Sequence, residues 1–92
     1  MFEIADTDTV WDAWLTTINL LDMLESTQKI KEVYDFAQAR VKLAQICSVA
    51  EKHRMDKEKC NCELSDAEHA LLRRKVMTFF KLQVANLKHF VD

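Results

Sequence analysis

The chain has 92 residues, of which 49% are apolar and 30% charged, carries a net charge of −2, and contains neither glycine nor proline. An average chain of this length holds roughly ten of those two residues together, and β-hairpins depend on glycine for their tight turns. The composition therefore excludes a hairpin-rich sheet and a disordered chain, and it favours uninterrupted helices in one domain spanning residues 1–92.

The first predicted element, helix 1, covers about residues 8–25. The segment Asp6-Thr7-Asp8-Thr9 offers several N-cap residues at its start. Apolar side chains then recur at the three- and four-residue spacing of one helical face: Trp11, Trp14, Leu15, Ile18, Leu21 and Leu24.

A break is predicted after helix 1, within residues 25–30. Continuing the phase of helix 1 places only polar residues on its apolar face, and the next apolar residues are shifted by two positions, which is roughly 200° around the helix axis. One straight helix cannot keep both sets buried. We expect Ser26 or Thr27 to be the N-cap of helix 2.

Helix 2 is predicted over about residues 28–58 and has two apolar stripes, which is typical of a central helix in a bundle. The first stripe consists of Ile30, Val33, Ala37, Val41, Ala44 and Cys47. The second consists of Phe36, Leu43, Ile46 and Val49. Cys47 is interpreted as a small buried hydrophobic residue.

Helix 3 is predicted over about residues 66–90, after a connection in which Asn61 is best suited to a left-handed conformation. The sequence Ser65-Asp66-Ala67-Glu68 forms a capping box at its start. Its core candidates are Leu72, Val76, Phe79, Phe80, Leu87 and Phe90. The predicted fold class is all-α, a three-helix antiparallel bundle in which helix 1 is short and helices 2 and 3 form a long hairpin.

The predicted helix lengths leave apolar surface uncovered. Helix 1 would span roughly 27 Å and helix 2 roughly 46 Å, so helix 1 cannot cover the whole hairpin. We therefore expect Leu82, Val84, Val91 and the second stripe of helix 2 to lack cover within the chain, and exposed apolar area of this kind indicates another chain. Tryptophans are frequent anchors of interfaces, so Trp11 and Trp14 join the partner-binding candidates, and a homodimer or larger assembly is predicted.

Charge is unevenly distributed along the chain. Residues 1–28 contain six acidic and no basic side chains, whereas the rest of the chain contains all 13 Lys and Arg residues against nine acidic ones. Either the acidic segment pairs with a basic face of its own bundle, which we favour, or it presents an acidic, aromatic face to a partner.

One group of residues has the composition of a zinc site. His53, Cys60, Cys62 and His69 have the symmetric spacing H-x6-C-x-C-x6-H, and two imidazoles with two thiolates are a suitable tetrahedral set. In this alternative zinc would stabilise the helix 2–3 hairpin. The competing interpretation, which we favour, is exposed histidines with unrelated cysteines on two charged helix ends.

The basic residues raise two further possible functions, nucleic-acid binding and catalysis on an anionic metabolite. Arg74, Lys81 and Lys88 are seven residues apart and form a stripe, but the net negative charge argues against nucleic acid as a partner. A small helical enzyme acting on an anionic metabolite would need convergent cations, for which Arg40, Arg54 and Arg73 are the candidates. No catalytic motif accompanies them, so no catalytic or cofactor-binding residue is assigned.

The leading interpretation is a non-enzymatic protein–protein interaction protein, such as a small adaptor, chaperone or inhibitor, that acts through apolar helix faces. The three cysteines, an odd number with two of them only one residue apart, favour a reducing compartment and a cytoplasmic location. No run of 18 or more apolar residues exists, so no membrane association is expected.

Overall fold

The computed structural model describes residues 2–27, 32–56 and 63–91. These residues form three helices, α1 (Val10–Thr27), α2 (Phe36–Lys52) and α3 (Asp66–Lys88), and no strand. Both α1 and α3 begin beside the C-terminal end of α2, as hydrogen bonds there show, so both run antiparallel to α2. The all-α, three-helix prediction is confirmed. No described helix is long and apolar enough to cross a membrane.

The helix with the most extensive packing is α1, which contacts both other helices and α3 above all. Its buried side chains recur every three or four residues and form one stripe along the helix: Val10, Ala13, Thr17, Leu20, Leu21 and Leu24. The buried Thr17 hydroxyl donates to the Ala13 carbonyl at 2.8 Å, which satisfies the one polar group in this set. The expectation that helix 2 would be central is therefore wrong.

The predicted break between the first two helices is confirmed, but its capping residues are not those expected. α1 ends at Thr27, and residues 32–35 are not helical. The hydroxyls of Ser26 and Thr27 donate to carbonyls of the last turn of α1, so both residues close α1 and do not cap α2. Asp35 is the N-cap of α2, because its carboxylate accepts the Gln38 amide at 2.9 Å.

α2 turns a different face inward from the one expected. Phe36, Leu43 and Ala50 are buried, and they belong to or extend the second predicted stripe. Most of the first stripe faces outward: Ala37 and Ala44 are exposed, as are Val33 and Val41 at 74% and 56%. The large side chains thus occupy the core and the small ones are left outside.

α2 also ends earlier than predicted, at Lys52 and not near residue 58. The amides of Arg54 and Met55 donate back to the carbonyls of Glu51 and Ala50, which is the Schellman pattern of helix termination. This pattern requires a left-handed residue, and Arg54 adopts φ 49° in a chain without glycine. The expected left-handed residue, Asn61, lies outside the described residues.

α3 agrees closely with its prediction. The Ser65 hydroxyl accepts the Glu68 amide, which is the N-cap half of the capping box. The Glu68 carboxylate reaches back as the motif predicts but accepts from the Ser65 hydroxyl. The predicted core residues of this helix are all buried or partly buried against the core: Leu72, Val76, Phe79, Phe80, Leu87 and Phe90.

Residues 2–9, here called the N-terminal strap, run antiparallel along α3 before the chain turns into α1. Glu3 lies 3.7 Å from Lys88, Asp6 forms an ion pair with Lys81, and the Asp8 carbonyl accepts a hydrogen bond from Arg73 at 3.1 Å. At the other end of α1, Arg40 of α2 pairs with Asp22 and Glu25. The prediction that the acidic N-terminal segment pairs with a basic face of its own bundle is confirmed for these residues.

Candidate partner-binding cleft

An apolar cleft of about 180 Å³ lies between the first turns of α1, the C-terminal part of α2 and the middle of α3. We call it the tryptophan cleft. Its lining is mostly apolar, with charged groups contributed by the end of α2 and the residues after it. The lining residues are Val10, Trp11, Trp14, Cys47, Ala50, Glu51, Arg54, Met55, Asp56 and Phe80.

Two stacked indole rings form one side of this cleft. Trp11 and Trp14 are three residues apart on α1, so they share a face of the helix, and their ring centroids are 5.0 Å apart. Trp11 is 51% exposed. This exposure is unusual because the indole is a large apolar ring, and leaving it in water costs more free energy than exposing a smaller apolar side chain. Trp14 Nε1 is buried and has no hydrogen-bond partner in the described part of the chain.

The first turn of α1 is held in place by a residue distant in sequence. The Asp56 carboxylate accepts the backbone N–H of Val10 at 2.6 Å and that of Trp11 at 3.3 Å. It satisfies amides that have no partner within the helix, and its charge interacts favourably with the helix dipole. Thr9 caps the same turn through the Asp12 amide. These contacts fasten the segment after α2 to the start of α1.

The Schellman termination of α2 completes the wall on that side. Because Arg54 is left-handed, the chain reverses and Met55 points into the core, where it is only 2% exposed. The exposed residues Glu51, Arg54 and Asp56 then stand at the rim. The backbone geometry at the end of α2 and at the start of α1 therefore fixes the shape of the cleft.

The chemistry of the cleft is dominated by apolar groups and a protonated thiol. Phe80 is fully buried beneath it. Burial, and to a smaller extent the charge of Glu51, raises the pKa of the Cys47 thiol, so the sulfur stays protonated at neutral pH and is a poor nucleophile. Among the described lining residues, none combines with Cys47 as a base in hydrogen-bonding contact.

The structure separates the sequence-based partner-binding candidates. It brings Trp11 and Trp14 together in the cleft, whereas Leu82 and Val91 lie elsewhere, 57% and 38% exposed. Val84 is only 4% exposed, and Ile4 of the strap lies beside it. The expectation that Val84 lacks cover is wrong. It was based on the helix lengths alone, whereas a non-helical strap also packs on α3.

The predicted zinc ligands are placed only in part. His69 is 8% exposed, and its Nε2 lies 2.9 Å from the His53 carbonyl oxygen, so the two histidines are neighbours. His53 Nδ1 is buried without a hydrogen-bond partner in the described ranges. Cys60 and Cys62 lie outside the described residues. Within those ranges, no group of three or more possible metal-ligating side chains occurs.

The three arginines considered for an anionic substrate have separate roles. Arg73 donates to the Asp8 carbonyl just before α1, and Arg40 binds carboxylates near the other end of that helix. Arg54 stands at the rim of the tryptophan cleft. A shared anion site of Arg40 and Arg73 is therefore not formed.

Sequence reasoning missed Asp56, Arg54 and Met55, which shape the cleft as much as the tryptophans do. They fall in a run of charged residues within the span that was predicted as the end of helix 2. The available signal was Met55, a lone large apolar residue within that run. A residue of this kind after a helix often packs back onto its last turn.

No protein-family model, curated protein or solved structure matches this chain.

Proposed function

We propose that this protein is a non-enzymatic protein-interaction module that binds its partner through the tryptophan cleft, as an adaptor, chaperone or inhibitor would. The observation that carries the proposal is the stacked pair of indoles beside an open apolar cleft, with Trp11 half exposed and the Trp14 N–H without an acceptor among the described residues. The cleft receives one apolar side chain of the partner, such as that of leucine or phenylalanine.

The size of the cleft supports a side chain as its occupant. Pockets for small molecules and cofactors usually have volumes of about 300–1,000 Å³, whereas this cleft measures about 180 Å³. An apolar cavity of about 150 Å³ accommodates benzene. One aromatic or leucine side chain therefore fits, and a metabolite with a charged group finds little polar surface to bind.

The unpaired indole N–H specifies a second feature of the partner. A buried donor without an acceptor costs about 1–3 kcal/mol, and an acceptor brought in with the partner recovers that free energy. A backbone carbonyl beside the inserted side chain is the simplest such acceptor. An amphipathic helix ending at the cleft, or a turn, presents an apolar side chain and a free carbonyl together.

The test is affinity capture from the native cells with three forms of the full chain. We expect partners retained by the wild-type protein to be lost from Trp11→Ala. The matched control is Leu71→Ala, because Leu71 is 50% exposed, close to the 51% of Trp11, but lies on α3 outside the cleft. A partner found this way is then measured with purified protein by quenching of tryptophan fluorescence.

The dissociation constants of the variants show whether the partner binds the tryptophan cleft or α3. A dissociation constant raised at least about tenfold by Trp11→Ala, or about 1.4 kcal/mol, and unchanged by Leu71→Ala supports the cleft. Equal binding by wild type and Trp11→Ala, with loss in Leu82→Ala, would move the interface to α3 and overturn the proposal.

Self-association is proposed through the outward face of α2. This face consists of the exposed residues Ala37, Val41 and Ala44, which were expected in the core, and Val33 is exposed in the turn before the helix. The face is apolar along about two helical turns, and small residues let a second helix approach closely. We propose a homodimer on this basis, in a reducing, cytoplasmic environment consistent with the free Cys47 thiol.

Zinc stabilisation of the α2–α3 connection is the second candidate. It is supported by the contact between His53 and His69, since a metal-binding histidine commonly donates its other ring N–H to a backbone carbonyl. This site would change how the protein is stabilised more than what it binds.

A further inference from the structure

The N-terminal strap lies on α3 as a non-helical segment that is tied to the helix at several points. Its polar ties are ordered antiparallel along the helix: Glu3 is near Lys88, Asp6 pairs with Lys81, and the Asp8 carbonyl accepts from Arg73. The strap ends in a turn, in which the Asp8 amide donates to the Ala5 carbonyl and the Ala5 amide donates to the Asp8 carboxylate.

Apolar residues alternate with these acidic ones. Phe2 and Ile4 pack against the hydrophobic core, on either side of Glu3. Ile4 and the buried Val84 line the same depression on α3, and Met77 lies at the floor of a second depression further along. The surface under the strap therefore combines cationic edges with an apolar floor.

The strap fills this surface incompletely. The Glu3 and Asp6 side chains are 78% and 93% exposed, and ion pairs so open to water contribute little. Two cavities of about 240 and 330 Å³ remain along its junction with α3. A segment held by exposed charges over an imperfectly filled groove is a weak competitor for that groove.

We propose that the α3 groove under the strap binds an extended segment of another protein in which acidic and apolar residues alternate, and that the strap is its internal competitor. Lys81 and Lys88 bind carboxylates of that segment, and the floor near Val84 and Met77 receives its apolar side chains. A protein segment is favoured over a nucleic acid because the groove is apolar as well as basic, and phosphates use only its charges. The groove is separate from the tryptophan cleft, so either proposal can fail without the other.

The probe is a fluorescein-labelled peptide with the sequence of residues 2–9, measured by fluorescence anisotropy against the full chain. The variant Glu3→Gln/Asp6→Asn weakens the strap and leaves α3 intact. We expect it to bind the peptide at least about fivefold more tightly than the wild type, because the apparent affinity rises with the fraction of open groove. Adding Lys81→Gln should abolish the gain, and higher salt should reduce it.

Two controls separate the groove from charge in general. The variant Asp12→Asn removes one negative charge from α1 and should leave peptide affinity at the wild-type value. A peptide with the acidic residues replaced by their amides should bind several-fold more weakly, because it keeps the apolar contacts and loses only the exposed ion pairs. Equal binding of the amide peptide, or binding of a short oligothymidylate by the strap-weakened variant in place of the peptide, would overturn the proposal.

A second measurement needs no substitution and applies if the double variant fails to fold. Excess unlabelled peptide added to the ¹⁵N-labelled wild-type chain should shift the backbone amides of Ala5, Asp8 and Val84 and leave the Trp11 indole resonance in place. Unchanged Ala5 and Asp8 amides at saturating peptide would show that the strap is not displaced, which contradicts the proposal.

Discussion

The carboxylate of Asp56 accepts the backbone N–H of Val10 at 2.6 Å, and these two residues are 46 positions apart in the chain. Together with the Trp11 amide at 3.3 Å, this contact joins the start of α1 to the residues after α2. It closes the bundle at the same end at which the tryptophan cleft opens. Stability and the shape of the cleft therefore depend on one side chain.

We expect Asp56→Ala to lower the free energy of unfolding by about 1–2 kcal/mol, since two amides at a helix start lose their acceptor. The measurement is urea denaturation followed by circular dichroism. Asp12→Ala is the matched control, because Asp12 is the acidic residue in the first turn of α1. It should cost about 0.5 kcal/mol through the helix dipole. Equal losses in the two variants would argue against a special role for Asp56.

Arg54→Gly should stabilise the protein. Arg54 holds φ 49°, a conformation that costs a side-chain-bearing residue about 1–2 kcal/mol and glycine almost nothing. Allowing for the greater freedom of glycine in the unfolded chain, we expect a gain of about 0.5–1 kcal/mol by the same urea assay. Gln45→Gly, at an exposed position in the middle of α2, should instead lose about 1 kcal/mol. A loss of stability in Arg54→Gly would mean that the arginine side chain itself supports the cleft.

The sequence was sufficient for the parts of the fold that depend on local signals. The signals for the Ser65 N-cap, the Thr9 cap and the break after Thr27 act within a few residues, and each of these features appears in the structure, although the apolar stripe predicted to follow the break faces outward. Which of the two stripes of α2 is buried could not be predicted from local signals, because it depends on which face of α2 fits against α1.

The features that position the cleft were equally non-local. Asp56 caps a helix from 46 residues away, and the strap covers Val84 through residues that belong to no helix. Arg54 takes a left-handed conformation that sequence assigns to glycine or asparagine first. Only the two tryptophans of the candidate site were visible as a pattern in the sequence.

The ionisation of Asp6 should report whether the strap is closed. The hydrogen bond from Lys81, and then its charge, lowers the pKa of Asp6 below the ordinary value of 3.8. Because the folded pKa is depressed, the stabilising contribution is complete above 3.8 and is lost as pH falls through the folded value. We expect the carboxyl ¹³C resonance of Asp6 to titrate with a midpoint below 3.8 and to return to about 3.8 in Lys81→Gln. Identical midpoints in the two proteins would contradict a closed strap in solution.

Val41→Glu should disrupt self-association. Val41 is 56% exposed at the middle of the outward face of α2, so a charge there enters the proposed interface without disturbing the core. We expect light scattering at tens of micromolar to give a mass above the 10.8 kDa of one chain for the wild type and the single-chain mass for Val41→Glu. Asn86→Glu, at an exposed polar position of α3 outside that face, makes the same charge change and should remain associated. A wild-type mass of 10.8 kDa would rule out the homodimer.

If zinc stabilises the α2–α3 connection, the histidine ring nitrogens and the cysteine thiolates should both act as ligands. A carbonyl oxygen only accepts hydrogen bonds, so His69 Nε2, 2.9 Å from the His53 carbonyl, carries the proton and leaves Nδ1 as the ring atom with a lone pair for a metal. His53 Nδ1 is buried without a hydrogen-bond partner in residues 2–27, 32–56 and 63–91. If Cys60 and Cys62 supply thiolates, one zinc ion should bind each chain, binding should weaken as pH falls, and a chelator should lower the melting temperature.

Substitution of the three cysteines distinguishes that site from unrelated thiols. Cys60→Ser/Cys62→Ser should lower the free energy of unfolding by several kcal/mol in zinc-loaded protein and by less than about 0.5 kcal/mol after chelation. Cys47→Ser is the control, because Cys47 is a free thiol in the tryptophan cleft and its replacement should have the same effect with and without metal. Elemental analysis of protein purified without an affinity tag provides the stoichiometry. Zinc well below one equivalent, with Cys60 and Cys62 freely reactive towards a thiol reagent, would leave His53 and His69 as a structural contact between α2 and α3.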